Sequence, residues 1–298
     1  MSFTTLKGRI IHAISGFYYV EAAGFVYECR AKGNFRSRGI TPLVGDGVVF
    51  QPDGDKGFIL SVDDRKNALL RPPVANLDRL FIVSSADSPK PNLYVLDKLT
   101  AISVYHEIEP VVVFSKTDLA DVSLYRQIYE KAGFRVLCCS AKTGEGMDVL
   151  AACLSDGLNA FTGNSGVGKS SLLNALLPDL NLETKEISQK LGRGKHTTRS
   201  VRLYHYGEAL LADTPGFSSV DFEENGEKIK KEDLPHCFPE FSPHLEACRF
   251  SVSCSHVRDK GCAILKAVSD GLIPASRHQS YFQMVEAVKD FKDYPQKR

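Results

Sequence analysis

The feature that most constrains this chain is a glycine-rich run at residues 163–170, which reads Gly-Asn-Ser-Gly-Val-Gly-Lys-Ser. A glycine, any four residues and then Gly-Lys-Ser is the pattern of a phosphate-binding loop (P-loop), whose backbone N–H groups surround phosphate oxygens. A short, partly apolar stretch at 158–162 precedes the run, and a helix-forming stretch at 171–177 follows it. Strand, loop and helix therefore occur in the order that the motif requires. The alternative is an ordinary Gly/Ser-rich turn before a helix.

The motif also predicts which residues meet the phosphates of a nucleotide. Lys169 can reach the β- and γ-phosphates, and the Ser170 hydroxyl can ligate Mg²⁺. The N-terminus of the following helix adds a favourable dipole and unpaired N–H donors. The nucleotide contacts expected from this part of the chain are Gly163, Asn164, Ser165, Gly166, Val167, Gly168, Lys169, Ser170 and Ser171.

Length and composition limit the remaining possibilities. With 298 residues, 43% of them hydrophobic, the chain can hold two or three domains. It has no run of 18 apolar residues and no apolar signal core near its first residue, so we expect a cytoplasmic protein with no membrane association. The formal net charge is +1, so binding to nucleic acid must come from local basic patches. Eight cysteines then suggest free thiols or a metal site rather than disulfides.

Residues 1–65 are predicted to form a small β-barrel. Glycine- or proline-containing turns separate five stretches with strand-like patterns, at 8–14, 17–21, 25–30, 48–50 and 57–62. Short strands at this density suit an OB-fold. A basic segment that includes one aromatic ring could follow an RNA backbone and stack on a base, and the alternative is a solvated hairpin loop. The expected RNA-binding residues are Arg30, Lys32, Phe35, Arg36 and Arg38.

Residues 66–222 are predicted to form an α/β domain. A linker with two prolines is expected near 65–73, and strand-like and helix-like stretches then alternate up to the P-loop. This alternation indicates a mostly parallel sheet with helices on both faces, in which ligands bind at the carboxyl ends of the strands. The predicted strands are 80–84, 110–114, 136–139 and 158–162, and the predicted helices are 92–106, 124–132 and 147–154.

Two short motifs at the ends of predicted strands are typical of guanine recognition. The Asp118 carboxylate can accept hydrogen bonds from guanine N1–H and N2–H₂, and the Lys116 stem can cover the base. Adenine presents the wrong donors and acceptors, and the groups left unpaired favour guanine by roughly 10⁴-fold. Each motif alone is a weak signal, since an Asp that caps a strand end is common. The expected base contacts are Ser115, Lys116, Thr117, Asp118, Ser140, Ala141 and Lys142.

The chain after the P-loop helix carries residues suited to sense the γ-phosphate. A Gly- and Arg-rich stretch at 192–199 precedes a predicted strand pair, 201–206 and 209–212. Thr198 is expected to ligate Mg²⁺ only when the γ-phosphate is present, as a switch residue does. Asp213 suits a water-mediated contact with Mg²⁺, and the Gly216 N–H suits the γ-phosphate. The alternative for the first stretch is a mobile surface loop, which is compatible with a switch.

Residues 223–298 are predicted to form a mainly helical zinc-binding domain. Four metal-ligand side chains fall within one short stretch, with the spacing Cys-x₅-Cys-x-His-x₅-Cys. Three thiolates and one imidazole complete the tetrahedral shell of a structural Zn²⁺, and the alternative is a set of buried free thiols. Helices are expected at 263–269 and at 274–293. The predicted zinc ligands are Cys248, Cys254, His256 and Cys262.

The motifs together resemble the RsgA family of small ribosomal subunit biogenesis GTPases. In ordinary P-loop GTPases the guanine motifs follow the P-loop, whereas here they precede it, which is a circular permutation. The stretch 192–198, Gly-Arg-Gly-Lys-His-Thr-Thr, is particularly characteristic of the family, and the resemblance covers essentially the whole chain. It implies GTP hydrolysis stimulated by the 30S subunit, 16S rRNA binding through the barrel and the zinc domain, and a role in late maturation of the small subunit. Other assembly factors are further expected partners, and a monomer is expected.

Two positions depart from the wider GTPase pattern. Ser115 stands where Asn is usual, and its shorter side chain is expected not to bridge to the P-loop, which would lower nucleotide affinity. Phe217 stands where Ras-like enzymes carry the Gln that positions water, so we expect slow intrinsic hydrolysis, ~10⁻⁴ to 10⁻² s⁻¹. His196 is the candidate for positioning the water, and the alternative is a ribosome contact. The expected catalytic residues are Lys169, Thr198, His196 and Gly216.

Two other functions stay open from the residues alone. One is an RNA-binding assembly scaffold that uses GTP only as a conformational ligand, which Phe217 favours. The other is a GTPase that acts on a partner other than the ribosome. The segment from Asp213 to Gly216 leads directly into the C-terminal domain. The nucleotide state is therefore expected to set the orientation of that domain and of the barrel.

Overall fold

The structure, a computed structural model, consists of a β-barrel, an α/β sheet domain and a helical C-terminal region. It describes residues 4–33, 35, 39–70, 72–177, 201–213, 229–249 and 254–289. In this part of the chain, no helix has both the length and the apolar character that a membrane span requires.

Five strands close the N-terminal barrel, as predicted for an OB-fold. They pair in the order β1-β2-β3-β5-β4, and β4 returns to β1. Every pair is antiparallel except β3 with β5. Alternate side chains point inward, and those of Ile10, Val20 and Ile59 are fully buried. The strands are β1 Leu6–Ile14, β2 Phe17–Ala22, β3 Phe25–Ala31, β4 Gly47–Asp53 and β5 Lys56–Val62.

The segment predicted as a linker contains a short β-hairpin instead. Strand β6 Ala68–Leu70 pairs with strand β7 Pro73–Ala75. The side chains of Leu69 and Val74 are buried, so the hairpin adds to the core. The linker prediction was wrong here because strands of three residues are too short to show a period of two.

Six further strands form the sheet of the α/β domain, in the order β10-β9-β8-β11-β13-β12. All neighbours run parallel except β12, which is antiparallel to β13. The central strands are buried along their length because helices cover both faces of the sheet. The strands are β8 Arg79–Ser85, β9 Glu109–Ser115, β10 Arg135–Cys138, β11 Leu158–Thr162, β12 Arg202–Tyr206 and β13 Ala209–Asp213.

Four helices of this domain confirm the predicted alternation. The Asn92 side chain caps the first of them by accepting a hydrogen bond from Val95 N at 3.2 Å. The fourth begins at Lys169, directly after the P-loop, two residues earlier than predicted. The helices are α1 Leu93–Tyr105, α2 Ser123–Lys131, α3 Met147–Cys153 and α4 Lys169–Leu176.

The barrel joins the sheet domain through β1 and β12, so that both belong to one eleven-stranded sheet. The His12 ring Nδ1 lies 3.0 Å from Val201 O, and His205 Nε2 lies 2.9 Å from a Glu21 carboxylate oxygen. Val201 lies three residues after Thr198. The barrel is therefore in contact with the strand that the predicted switch leads into.

The C-terminal region is mainly helical and packs on α1. Its described residues, 229–249 and 254–289, form two 3₁₀ helices, Leu234–Cys237 and Pro239–Phe241, and three α-helices: α5 Ser242–Leu245, α6 Ala263–Ser269 and α7 Ala275–Val288. Helix α7 was predicted to extend to 293, and 290–293 lie outside the described residues. The buried side chains of this region are continuous with those on one face of the sheet.

Candidate functional site

The carboxyl ends of β8, β9, β10 and β11 meet at one edge of the sheet, because these neighbouring strands are parallel. The loops that follow β9 and β10 carry the predicted guanine motifs, and the loop after β11 is the P-loop. Motifs that lie up to 53 residues apart, from Ser115 to Gly168, are thereby brought to a single edge.

The P-loop has a conformation that only its glycines permit. Gly163 has φ 138°, and a Cβ there would lie 2.1 Å from Val83 O. Gly168 has φ 91° and is the N-cap residue of helix α4. The Lys169 ammonium lies across the loop and donates to Gly163 O at 2.5 Å and to Asn164 O at 2.9 Å. The loop is thus compact, and its lysine lies on the inner side, where the motif places phosphate oxygens.

Ser115 does bridge to the P-loop, so the expectation that its side chain is too short was wrong. Its hydroxyl donates to Val167 O at 2.5 Å and also lies 3.3 Å from Ser84 O. The side chain is 1% exposed. The end of β9 comes so close to the P-loop that a Cβ on Gly168 would lie 3.5 Å from the Ser115 Oγ. A serine therefore suffices at this distance.

Lys116 connects the P-loop to a loop that sequence reasoning missed. Its backbone has φ 56°, and its ammonium donates to Gly166 O at 2.8 Å and to Ser88 O at 2.7 Å. Ser88 belongs to the loop after β8, residues 86–91, whose sequence Ala-Asp-Ser-Pro-Lys-Pro gives no signal beyond a turn. The contact orients the Lys116 stem along the edge of the sheet.

The Asp118 carboxylate is held by the second guanine motif. Ser140 Oγ donates to Asp118 Oδ1 at 2.7 Å and accepts from Thr143 N at 3.2 Å. Lys142 Nζ lies 3.9 Å from the other carboxylate oxygen, and the Asp118 side chain is 14% exposed. A carboxylate fixed in this way retains lone pairs that can accept two parallel N–H donors.

These side chains line a cavity of about 450 Å³, a volume typical of small-molecule sites. Leu119 and Leu172 supply apolar walls that sequence reasoning did not assign to the site. Thr117 was predicted as a base contact, but it does not line the cavity, and its buried hydroxyl has no hydrogen-bond partner among the residues described. The predicted residues on the wall are Ser115, Lys116, Asp118, Ser140, Ala141, Lys142, Gly168 and Ser171.

The predicted switch residues are only partly described. Asp213 is the last residue of β13, which runs parallel to β11. Strand β13 therefore ends at the edge of the sheet that carries the P-loop and the predicted guanine motifs, the nucleotide edge. His196, Thr198 and Gly216 lie outside the described residues, as does Phe217.

The barrel presents part of the predicted basic segment. Arg30 and Lys32 are exposed, whereas Arg36 and Arg38 lie outside the described residues. Phe35 is 6% exposed and belongs to the hydrophobic core, so the prediction that its ring stacks on a base was wrong. The ring that lies next to this cationic segment is that of Phe17, 4.5 Å from the Arg30 guanidinium carbon.

The four predicted zinc ligands come together in the C-terminal region. Their ligand atoms all lie within 4.8 Å of one another, and all four side chains are buried. Zinc–sulfur bonds of about 2.3 Å in a tetrahedron place neighbouring sulfurs about 3.8 Å apart, so the cluster has the size of a zinc shell. His256 has φ 57°, and its Nδ1 lies 3.4 Å from Cys262 Sγ.

Burial shifts the pKa values of the thiol and the imidazole in this cluster in opposite directions. Burial, followed by the neighbouring thiols, raises the pKa of the Cys254 thiol to about 12. Burial lowers the pKa of His256, which favours the neutral imidazole that metals bind. A divalent cation among the donors would reverse the thiol shift, because it stabilises thiolates directly.

A mostly parallel sheet with a P-loop, a carboxylate fixed by Ser140 and predicted guanine motifs that precede the P-loop indicate a circularly permuted P-loop GTPase. Comparison with solved structures agrees. The crystal structure of YloQ, described as a circularly permuted GTPase, matches with a TM-score of 0.80 and 34% identity over 98% of this chain and 97% of that chain. YjeQ from Thermotoga maritima matches with a TM-score of 0.80 and 32% identity over 97% of this chain and 100% of that chain.

The particular family follows from the sequence comparisons. The family model described as RsgA N-terminal domain matches residues 7–59, and the one described as RsgA GTPase matches residues 62–223. A protein named small ribosomal subunit biogenesis GTPase RsgA from Bacillus cereus is 46% identical over 96% of this chain and 98% of its own length. The protein of the same name from Geobacillus kaustophilus is 44% identical over 96% of this chain and 98% of its own length. The chain therefore belongs to the RsgA family, and it is a GTP-hydrolysing enzyme whose chemistry uses Mg²⁺.

Proposed function

We propose that this protein assists late maturation of the small ribosomal subunit in the cytoplasm, and that the 30S subunit stimulates its slow intrinsic GTP hydrolysis. The observation that carries the proposal is the nearly full-length similarity to relatives named for small ribosomal subunit biogenesis. The cavity beside the P-loop supports the nucleotide part, because a fixed carboxylate and a lysine stem line it.

The nucleotide is proposed to lie along the edge of the sheet. Asp118 accepts from guanine N1–H and N2–H₂, the Lys116 stem covers the base, and backbone N–H groups of Ser140 to Lys142 meet guanine O6. The backbone of 163–168 surrounds the phosphates, with Ser171 at the end of the loop. Ser170 and Thr198 would hold Mg²⁺, with Asp213 acting through water, and the ion would neutralise charge on the phosphates.

Hydrolysis is proposed to proceed by in-line attack of water on the γ-phosphorus, which forms one P–O bond and breaks the bond to the β–γ bridging oxygen. Lys169 and the N–H of Gly216 stabilise the charge that develops on the phosphoryl oxygens. His196 positions the attacking water, since Phe217 cannot. Full 30S-stimulated turnover in His196→Ala would show that this role is wrong.

The chain is proposed to act as a monomer with three domains, 1–65, 66–222 and 223–298. Cys248, Cys254, His256 and Cys262 hold one structural Zn²⁺, which stabilises the third domain and has no open position for chemistry. The first and third domains bind 16S rRNA. Support for the first domain is the pair of exposed cations, Arg30 and Lys32, at the end of β3.

The nucleotide state is proposed to control the affinity of the protein for the small subunit. Co-sedimentation with purified 30S subunits tests this, with GDP or a non-hydrolysable GTP analogue present and 50S subunits as the control. We expect tighter binding to 30S with the analogue and no selective binding to 50S. Equal affinity for 30S with both nucleotides would contradict the proposal.

A further inference from the structure

Arg277 connects the C-terminal region to the sheet domain from a position that is closed to solvent. The residue lies on α7, and its side chain is fully buried. Its Nη1 donates to Asp97 Oδ1 at 2.8 Å and to Thr100 Oγ1 at 3.0 Å, both on α1. Its Nε and Nη2 donate to the two carboxylate oxygens of Glu240, at 2.6 and 3.3 Å.

The cluster around the Arg277 guanidinium combines buried charges with close packing. Two buried carboxylates share one cation, and Asp97 Oδ2 has no hydrogen-bond partner within the described part of the chain. Burial and the Asp97 charge raise the pKa of the neighbouring Tyr129 hydroxyl. The rings of Phe238 and Phe134 lie 4.6 and 5.1 Å from the guanidinium carbon. Charges desolvated in this way are tolerated only in one well-fitted arrangement, so the cluster fixes α7 against α1.

Helix α1 also lies across a small cavity from the P-loop. Its cap Asn92 and the side chains of Leu96 and Leu99 line a small cavity of about 20 Å³ together with Gly163 and Asn164. Leu96 and Leu99 lie within one turn of Asp97, so a single short helix segment both borders the cavity beside the P-loop and contacts Arg277.

Helix α7 continues the contacts to the metal cluster. His278, the residue after Arg277, donates from Nε2 to His256 O at 2.8 Å. One turn further, the Tyr281 hydroxyl donates to Ser255 O at 2.9 Å. Direct contacts therefore run from the loop of Ser255 and His256 through α7 to α1, and α1 shares a cavity wall with the P-loop.

We propose that Arg277 and Asp97 are positioning residues for 30S-stimulated hydrolysis alone, and that their buried contact transmits docking of the C-terminal region on the small subunit to the P-loop through α1. This route is distinct from the one expected through residues 213–216. The inference rests on the proposed function in one respect, that the small subunit is the partner that stimulates turnover.

The first test measures 30S-stimulated turnover in Asp97→Asn and Arg277→Lys. Asn keeps the shape and an acceptor oxygen of Asp97, and Lys keeps the charge of Arg277 without its fork. Matched controls are Asp270→Asn and Arg258→Lys, because both residues are exposed in the same region. We expect each cluster variant to lose about tenfold or more of the stimulated kcat, with 30S affinity, intrinsic kcat and KM unchanged within about twofold.

A merely structural role would lower 30S affinity or intrinsic turnover together with the stimulation, and that result would overturn the proposal. Stimulation equal to the wild type in both variants would also overturn it. The double variant should lose no more than the worse single variant, because the two residues act as one unit. Thr100→Val is the milder substitution if the others fold poorly, and we expect it to lose about threefold of stimulated kcat.

A second measurement needs no ribosome and so separates this inference from the proposed function. Amide hydrogen exchange of residues 163–168 in the isolated protein should accelerate in Asp97→Asn and stay unchanged in Asp270→Asn. Unchanged P-loop exchange in Asp97→Asn overturns the inference even if 30S stimulates the wild type. If P-loop exchange is faster in Asp97→Asn but 30S does not stimulate the wild type, the coupling between α1 and the P-loop stands. That result overturns only the proposal that the small subunit is the partner.

Discussion

The nucleotide edge and the metal cluster bring polar side chains together by opposite means. The nucleotide edge takes its residues from four segments between 86 and 172, which parallel strands carry to one place. The metal cluster takes all four side chains from 248–262, a stretch in which the described residues form no strand and no helix before α6. One site depends on the topology of the sheet, and the other depends on a local fold of the chain.

The difference extends to how each site is stabilised. At the nucleotide edge, Ser115, Lys116 and Ser140 each hydrogen-bond to another part of the protein, so contacts within the protein hold this geometry. In the metal cluster, the donor atoms face one another, and burial disfavours the Cys254 thiolate. Hydrogen bonds within the protein therefore organise the first site, and we expect the second to need a bound metal to hold its fold.

Removal of one metal ligand should have the largest effect. Cys254→Ser is expected to lose the bound zinc and to unfold α6 and α7, because the binding free energy of a structural zinc, of order 10 kcal/mol, is also folding free energy. GDP binding at the sheet edge should persist, although weakened through α1. Zinc content by elemental analysis and amide exchange of residues 263–288 check this outcome.

The matched control for that variant is Cys153→Ser, which changes a half-buried thiol on α3 far along the chain from the cluster. It should keep one zinc per chain and native exchange. Native protection of α6 and α7 in Cys254→Ser without bound metal would remove the distinction between the two sites.

Substitution of the base-reading carboxylate should have an intermediate effect that is confined to the nucleotide edge. Asp118→Asn loses charge-assisted hydrogen bonds to guanine, and GTP affinity is expected to fall about 10- to 100-fold. The new amide can donate to the C2 carbonyl of xanthine, so XTP should bind better than it does to the wild type. Titration calorimetry with both nucleotides measures this, and Asp121→Asn, an exposed carboxylate three residues on, should change neither affinity.

Substitution of Ser115 should have the smallest effect and tests preorganisation most specifically. Ser115→Ala leaves the Val167 carbonyl without the serine hydroxyl in a buried position, and GDP affinity is expected to fall about 5- to 10-fold with little change in thermal stability. Ser155→Ala, at an exposed position after α3, is the control. Equal GDP affinity in Ser115→Ala would mean that the bridge to the P-loop does not organise the site.

The barrel strands, the sheet strands, the longer helices and both ligand clusters could be predicted because apolar runs and motif spacing depend on neighbouring residues. The bridge from Ser115 could not, since it joins residues 52 positions apart and depends on the distance between two backbones. Phe35 lies among basic residues in the sequence and yet is buried in the core, and Arg277 is a charged residue at a fully buried position. Sequence patterns assign charged positions to the surface, so a buried guanidinium paired with Asp97 leaves no signal in a single sequence.

Steady-state hydrolysis of GTP and ATP, with and without purified 30S and 50S subunits, tests the central claim most directly. The wild type should hydrolyse GTP slowly alone and much faster with 30S, with no stimulation by 50S and no comparable turnover of ATP. Lys169→Ala should lose about 10²-fold or more of the stimulated rate, because it removes a cation from the phosphates. GTP binding without 30S stimulation, or equal stimulation of Lys169→Ala, would contradict the account of this chain as a GTPase that acts on the small subunit.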